Sequence, residues 1–109
     1  MTTEELQKFI DEQDAYFRTR RAGDFSDREH VFARTIKLGE EYGELCDEVL
    51  ASIDGQRQEK MVGRDVAHLE DEFADVLITT FMLAKAMKVD IMKALDHKVQ
   101  KIRARNAKR

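Results

Sequence analysis

The stretch Lys37-Leu-Gly-Glu-Glu-Tyr-Gly-Glu-Leu45 decides how this chain is read, together with a second acidic stretch, Leu69-Glu-Asp-Glu-Phe-Ala-Asp-Val-Leu77. The first sets Glu41 and Glu44 three residues apart, and the second does the same with Glu72 and Asp75. Residues at that spacing are neighbours on one face of a helix. Each stretch therefore offers a carboxylate pair aimed in one direction, beside an apolar stripe that must pack on something. Helices packed through those stripes would gather four carboxylates at their common margin.

The rest of the chain supports a helical reading. Its 109 residues contain no proline and few glycines, and helix-favouring Ala, Leu, Glu, Lys and Met are abundant, which favours long helices. The length fits a single domain over 1–109. A first helix is expected from about Thr3 to Arg20, capped by Thr2 or Thr3, with Leu6, Phe9, Ile10, Gln13, Tyr16 and Phe17 forming its apolar stripe. Gly23 is the expected stop.

Ser26-Asp-Arg-Glu29 matches a capping box, so a second helix should open at about Asp27. Its apolar positions Val31, Leu38, Tyr42, Leu45, Val49 and Ile53 carry it to Asp54-Gly55. Gly39 and Gly43 lie inside it, and each costs roughly 1 kcal/mol relative to alanine there. Either they are tolerated surface glycines, or Gly43 lets a second helix or a ligand approach.

Residues 55–64 read as a connector. Asp65 is the expected cap of a third helix running to about Lys88, with Leu69, Phe73, Val76, Leu77, Thr80, Leu83 and Met87 inward. Asp90 should cap a fourth helix over about Ile91 to Asn106, with Leu95, Val99 and Ile102 inward. The expected fold is an all-α, four-helix bundle. A chain this short buries a modest fraction of its surface, so a homodimer or a dimer of dimers is the expected way to complete the core.

Charge and cysteine usage narrow the function classes. A formal net charge of −3 and an acidic middle argue against a nucleic-acid binder. Lys98, Lys101 and Arg105 line one face of the fourth helix; taken alone they read as a solvated, dipole-favoured helix end. The single cysteine, Cys46, excludes an internal disulfide and fits a reducing compartment as an inert thiol. Without a secretory pattern or an apolar run long enough to span a bilayer, a cytoplasmic setting is expected.

Four like charges within a few ångströms repel or raise one another's pKa values, and a cation removes that penalty. An oxygen-only set suits Mg²⁺, with Mn²⁺ as a substitute, better than Zn²⁺. Mg²⁺ held by few carboxylates takes up substrate phosphates, which points to a phosphate-ester or phosphoanhydride substrate. His68 shares the face of Glu72 and reads as a rim histidine.

Glu41-x-x-Glu44 followed by Glu72-x-x-Asp75, in the local contexts Lys37–Leu45 and Asp71-Glu-Phe-Ala-Asp-Val-Leu-Ile78, resembles the MazG-type, all-α nucleoside triphosphate pyrophosphohydrolases. The closing segment from Ala94 to Arg105, with its spaced Lys and Arg, resembles the family's last helix. The resemblance covers roughly Leu38 to Arg105. It implies hydrolysis of a (d)NTP to the monophosphate and pyrophosphate, in a house-cleaning or pool-balancing role. Glu41, Glu44, Glu72 and Asp75 would be the Mg²⁺ ligands, with Glu41 or Glu44 as general base. Lys37, Lys98, Lys101 and Arg105 become phosphate contacts, although Lys37 is also placed to pair with Glu41.

The resemblance makes the first helix a wall for the base, with Phe9, Tyr16 and Phe17 as stacking candidates. Some relatives place Trp in this pocket and this chain has none, so base and sugar preference stay open. A phosphoribosyl-ATP pyrophosphohydrolase or a dUTPase-like relative shares the same metal logic. A non-catalytic helical interaction module is the alternative of another class.

Overall fold

The computed structural model describes residues 1–20, 25–53 and 66–108, side chains of residues 66 and 67 excepted. Among them are four helices and no strand: α1 (Thr3–Arg20), α2 (Asp27–Ile53), α3 (Val66–Ala86) and α4 (Ile91–Ala107). The expected stops at Gly23 and Asp54-Gly55, the connector 55–64 and the Asp65 cap lie outside the described residues.

The described helix starts follow from local chemistry. Thr2 Oγ1 accepts from the Glu5 N–H at 3.1 Å, and Glu5 Oε1 accepts in return from the Thr2 N–H at 3.3 Å. Ser26 and Glu29 repeat this reciprocal pattern at 3.2 Å in each direction. Such boxes satisfy donors that the first helical turn leaves open. Asp90 caps α4 by accepting from the Lys93 N–H at 3.1 Å. The α3 end closes on Lys88, whose φ of 57° is left-handed. The Lys88 N–H donates to Lys85 O and the Val89 N–H to Ala84 O, a Schellman closure with lysine where glycine is usual.

Both α1 and α2 pack on α3. The α2–α3 pair is antiparallel, as three contacts along it show. Arg34 Nη1 donates to Met82 O at 3.1 Å, Glu41 approaches Asp75, and Glu48 Oε1 lies 3.3 Å from His68 Nε2. The α2 partners advance by seven residues while the α3 partners retreat by seven, the register of a helical hairpin with a heptad seam.

That seam is polar. The buried hydrophobic residues among those described are Ile10, Ala51 and Met82, whereas His30, Arg34, Glu41, Glu48 and Glu72 are buried polar groups. Several expected core positions are exposed instead: Tyr42 and Ile53 on α2, Phe73, Leu77 and Met87 on α3, Leu95 and Val99 on α4, and Phe9, Tyr16 and Phe17 on α1. The periodicity located apolar stripes correctly, but charged side chains occupy much of the intrachain seam, so the stripes point outward. No residue of α4 is buried. The radius of gyration is 17.3 Å, against about 13 Å for a compact domain of this length. No described helix is long and apolar enough to cross a membrane.

Three helices are tied together by one ion network. Arg34 Nη2 of α2 lies 2.7 Å from Asp14 Oδ1 of α1, while its Nη1 reaches α3 at Met82. Arg18 Nε also donates to Asp14 at 3.1 Å and its Nη1 to Asp27 at 2.8 Å. Burial pushes the Asp14 carboxyl up, but hydrogen bonds and charge from Arg34 and Arg18 outweigh it and hold the group below its ordinary value. A carboxylate with a depressed folded pKa adds stability above its unfolded pKa and loses it as pH falls through the folded one. Asp14→Asn, which strands the buried Arg34 charge, is therefore expected to cost about 3 kcal/mol at neutral pH. The deficit relative to wild type should shrink in acid, as read by denaturant unfolding at matched protein concentration.

Candidate metal centre

Glu41, Glu72 and Asp75 each bring one carboxylate oxygen within 4.8 Å of the other two. Glu41 comes from the middle of α2, and Glu72 and Asp75 from successive turns of α3. The antiparallel register brings them together, because Glu41 lies one heptad beyond Arg34 as Asp75 lies one heptad before Met82. Glu41 and Glu72 are buried, and Asp75 stands at the exposed edge.

Each buried glutamate has one oxygen held and one without a hydrogen-bond partner. Glu41 Oε1 pairs with Lys37 Nζ at 3.1 Å, and Glu72 Oε1 lies 3.7 Å from His68 Nε2. Glu41 Oε2 and Glu72 Oε2 are buried and unsatisfied. Burial followed by the charges of Glu44, Asp75 and Glu41 raises the Glu72 carboxyl above its ordinary value. Burial and then Glu41 do the same to Asp75. The two Oε2 atoms have given up water without gaining a hydrogen bond, a cost that a cation or a proton would offset. The donor set, all oxygen and partly unsatisfied, fits a hard divalent ion.

Glu44 is exposed and stands outside the group of three, although its charge reaches Glu72. Lys37 is engaged by Glu41 and also lies 3.6 Å from Glu40; the glutamates, Glu41 foremost, raise its pKa. Beside the carboxylates opens a groove of about 440 Å³ between three helices. Its lining includes Gln13 and Phe17 of α1, Arg34 and Lys37 of α2, and Asp75 and Met82 of α3, with Glu41 at the rim of the metal side.

The remaining candidates are spread more widely. Phe17 faces the groove, whereas Tyr16 lines a shallow depression with Glu12 and Arg20. The Arg20 guanidinium sits over the Tyr16 ring, 4.8 Å from its centroid. Phe9 lies outside the lining of the groove. The Tyr16 and Phe17 rings meet edge to face with centroids 5.5 Å apart, although Phe17 alone of the two is part of the groove lining. Lys98, Lys101 and Arg105 are exposed on α4, which contributes nothing to the groove.

Sequence reasoning missed Arg34 and Glu48 as parts of this seam, and His68, read as a rim histidine on the face of Glu72, is half-exposed beside Glu72 and Glu48. A signal existed: Arg34, Glu41 and Glu48 are spaced by sevens, and Glu48 follows Glu44 by four. Gly43, expected to admit a ligand or helix beside the glutamates, has nothing within 4 Å of where a Cβ would stand.

A family model describing the MazG nucleotide pyrophosphohydrolase domain matches residues 32–109. The chain belongs to that family. The matched region starts just before Arg34 and includes all four motif carboxylates and α4. The MazG match leaves α1, which walls the groove, outside its bounds. No curated protein and no solved structure matches the chain.

The raised pKa values have a definite sign in stability. Glu72 and Asp75 hold protons more tightly when folded, so the metal-free MazG fold loses stability as pH rises from the ordinary carboxylate range through their raised values. Glu72→Gln removes one of the repelling charges. In thermal melts with chelator present, the variant is expected to melt higher than wild type at neutral pH, with the gap closing in acid. An equal or lower melting point at neutral pH would show that repulsion does not govern this cluster.

Proposed function

We propose that this MazG domain is a divalent-cation-dependent nucleoside triphosphate pyrophosphohydrolase, cleaving a (d)NTP and water to the (d)NMP and pyrophosphate. The observation that carries the reading is the meeting of Glu41, Glu72 and Asp75, with unsatisfied oxygens, beside a groove large enough for a nucleoside. Family membership points the same way. Glu41, Glu72 and Asp75 hold Mg²⁺, for which Mn²⁺ can substitute. When bound, the ion neutralises triphosphate charge and makes water more acidic.

The chain's own groups divide the remaining work. Glu44, exposed and outside the group of three, is the carboxylate left to take the proton of the attacking water; Glu41 already engages Lys37. Phe17 offers a face for the base, and the Gln13 amide can both donate to and accept from a base edge. Lys37 is close enough to the carboxylates to meet a phosphate once a cation competes for Glu41. A house-cleaning or pool-balancing role in the cytoplasm is consistent with this chemistry.

α4 contributes no residue to the groove lining, and the outward apolar stripes are exposed among the described residues. Both observations support a homodimer, or a dimer of dimers, in which Ile36, Leu50, Phe73 and Leu77 are buried by a second copy. Sedimentation at micromolar concentration is expected to give such an assembly, and Leu77→Asp to shift it toward smaller species. A wild-type monomer under those conditions would remove the oligomer from the proposal.

Activity is tested with a panel of ribo- and deoxynucleoside triphosphates, dUTP and phosphoribosyl-ATP included, with Mg²⁺ and chromatographic resolution of products. Monophosphate and pyrophosphate are expected from at least one of them. Glu41→Gln and Asp75→Asn should each lower turnover by at least about 100-fold, while the helical circular dichroism is retained. Release of orthophosphate alone, or turnover indifferent to both substitutions, would overturn the assignment.

A further inference from the structure

The seam continues past the group of three to a pair the mechanism does not use. Glu48, two turns beyond Glu41 on the same face of α2, is buried although it adds another acid to an acidic neighbourhood. His68, four residues before Glu72 on α3, brings its Nε2 to 3.3 Å from Glu48 Oε1 and 3.7 Å from Glu72 Oε1. One imidazole nitrogen thus stands between a carboxylate that belongs to the donor set and one that does not.

The two helices solve the same problem in the same way. On α2, Lys37 sits four residues before Glu41 and engages its Oε1, while Oε2 is left without a partner. On α3, His68 sits four residues before Glu72 and lies against its Oε1, and again Oε2 is left without a partner. In each case a basic group one turn earlier faces one oxygen of a buried carboxylate, at 3.1 Å for Lys37 and 3.7 Å for His68, and the other oxygen has no hydrogen-bond partner. Lysine reaches its glutamate unaided. Imidazole is shorter and must be oriented, and Glu48 supplies the contact from the opposing helix.

We propose that His68, oriented by Glu48, is a positioning residue that fixes Glu72 with one oxygen turned to the cation. The inference rests on the metal-dependent reading given above. Glu48 and Glu72 face the same Nε2, so Glu48 holds the imidazole edge in the gap between the two helices, and the histidine supports a carboxylate ligand without being a ligand itself. A purely electrostatic role makes the opposite prediction. Removing a basic group beside a cation site would strengthen cation binding, whereas removing a positioning group weakens it.

Calorimetric titration of the full chain with Mn²⁺ separates these outcomes. Wild type is expected to bind, His68→Ala to bind about 10–100-fold more weakly, and His68→Gln, whose amide can approach the place of Nε2, to recover most of the loss. Glu48→Gln should weaken binding in the same direction. In turnover assays the defect should appear as a higher Mn²⁺ requirement, with kcat largely restored at saturating metal. Unchanged or tighter Mn²⁺ binding in folded His68→Ala overturns the positioning role and leaves the enzyme reading intact. If His68→Ala does not fold, unchanged or tighter binding in Glu48→Gln overturns it instead. Wild-type protein that takes up neither Mn²⁺ nor Mg²⁺ overturns both.

Discussion

Charged groups fill the seam between α2 and α3, where a helical hairpin ordinarily places hydrophobic ones, and everything else in the molecule adjusts to that. Arg34, Glu41 and Glu48 follow one another at heptad spacing on α2. They meet Met82 O, Asp75 and His68, which run in the opposite direction along α3. Burying a charge is costly unless it is paired or coordinated. The arginine end of the seam is compensated within the chain by Asp14 and a carbonyl oxygen. At the glutamate end Lys37 and His68 each face a single oxygen of Glu41 and Glu72, and the second oxygen of each is buried without a hydrogen-bond partner among the described residues. A hard cation bound there, as proposed, would relieve the repulsion between these carboxylates.

The same allocation explains why the chain looks unfinished alone. A hairpin that gives its seam to polar groups must place its apolar stripes elsewhere, and Ile36, Tyr42, Leu50, Phe73 and Leu77 are exposed accordingly. Stability of the single chain therefore leans on Ile10, Ala51, Met82 and the Asp14 network more than on an extended core. Arg34 serves both ends of this arrangement. It braces α1 and α3, and it also lines the groove beside the carboxylates. A substitution there would disturb assembly of the helices and the site together, so stability and function are not separable at that position.

Local chemistry was legible in the sequence, and long-range assignment was less so. Thr2, Ser26 and Asp90 announced their helices because a capping side chain acts within three residues. Three of the four motif carboxylates were correctly expected to converge, since their spacing fixes the face each occupies. Periodicity shows that a stripe is apolar but not whether its cover is intrachain, and Phe73 and Leu77 were misassigned for that reason. Glu48 was passed over because the motif ends at Glu44, and His68 was read as a rim histidine without the partner that α2 brings to it. The heptad step from Glu41 to Glu48 carried the missing information. Phe9, Tyr16 and Phe17 were grouped as a base wall through the family resemblance, and of the three Phe17 lines the groove.

Gly39 and Gly43 show what remains once the intrachain contacts are accounted for. Glycine inside a helix costs roughly 1 kcal/mol relative to alanine, and close packing would repay it. Among the described residues, nothing lies within 4 Å of where a Cβ would stand on either glycine. A ligand at the carboxylates does not supply the reason either. Gly43 follows the buried Glu41 by two residues, a step of about 200° on a helix, which turns it away from the seam. It shares its outward side with Ile36 and Leu50, which are themselves uncovered. A small residue every fourth position between exposed aliphatic side chains is the geometry that lets another helix approach backbone to backbone. That outward side is where the proposed second copy would pack, and close approach there would offset the cost of the two glycines.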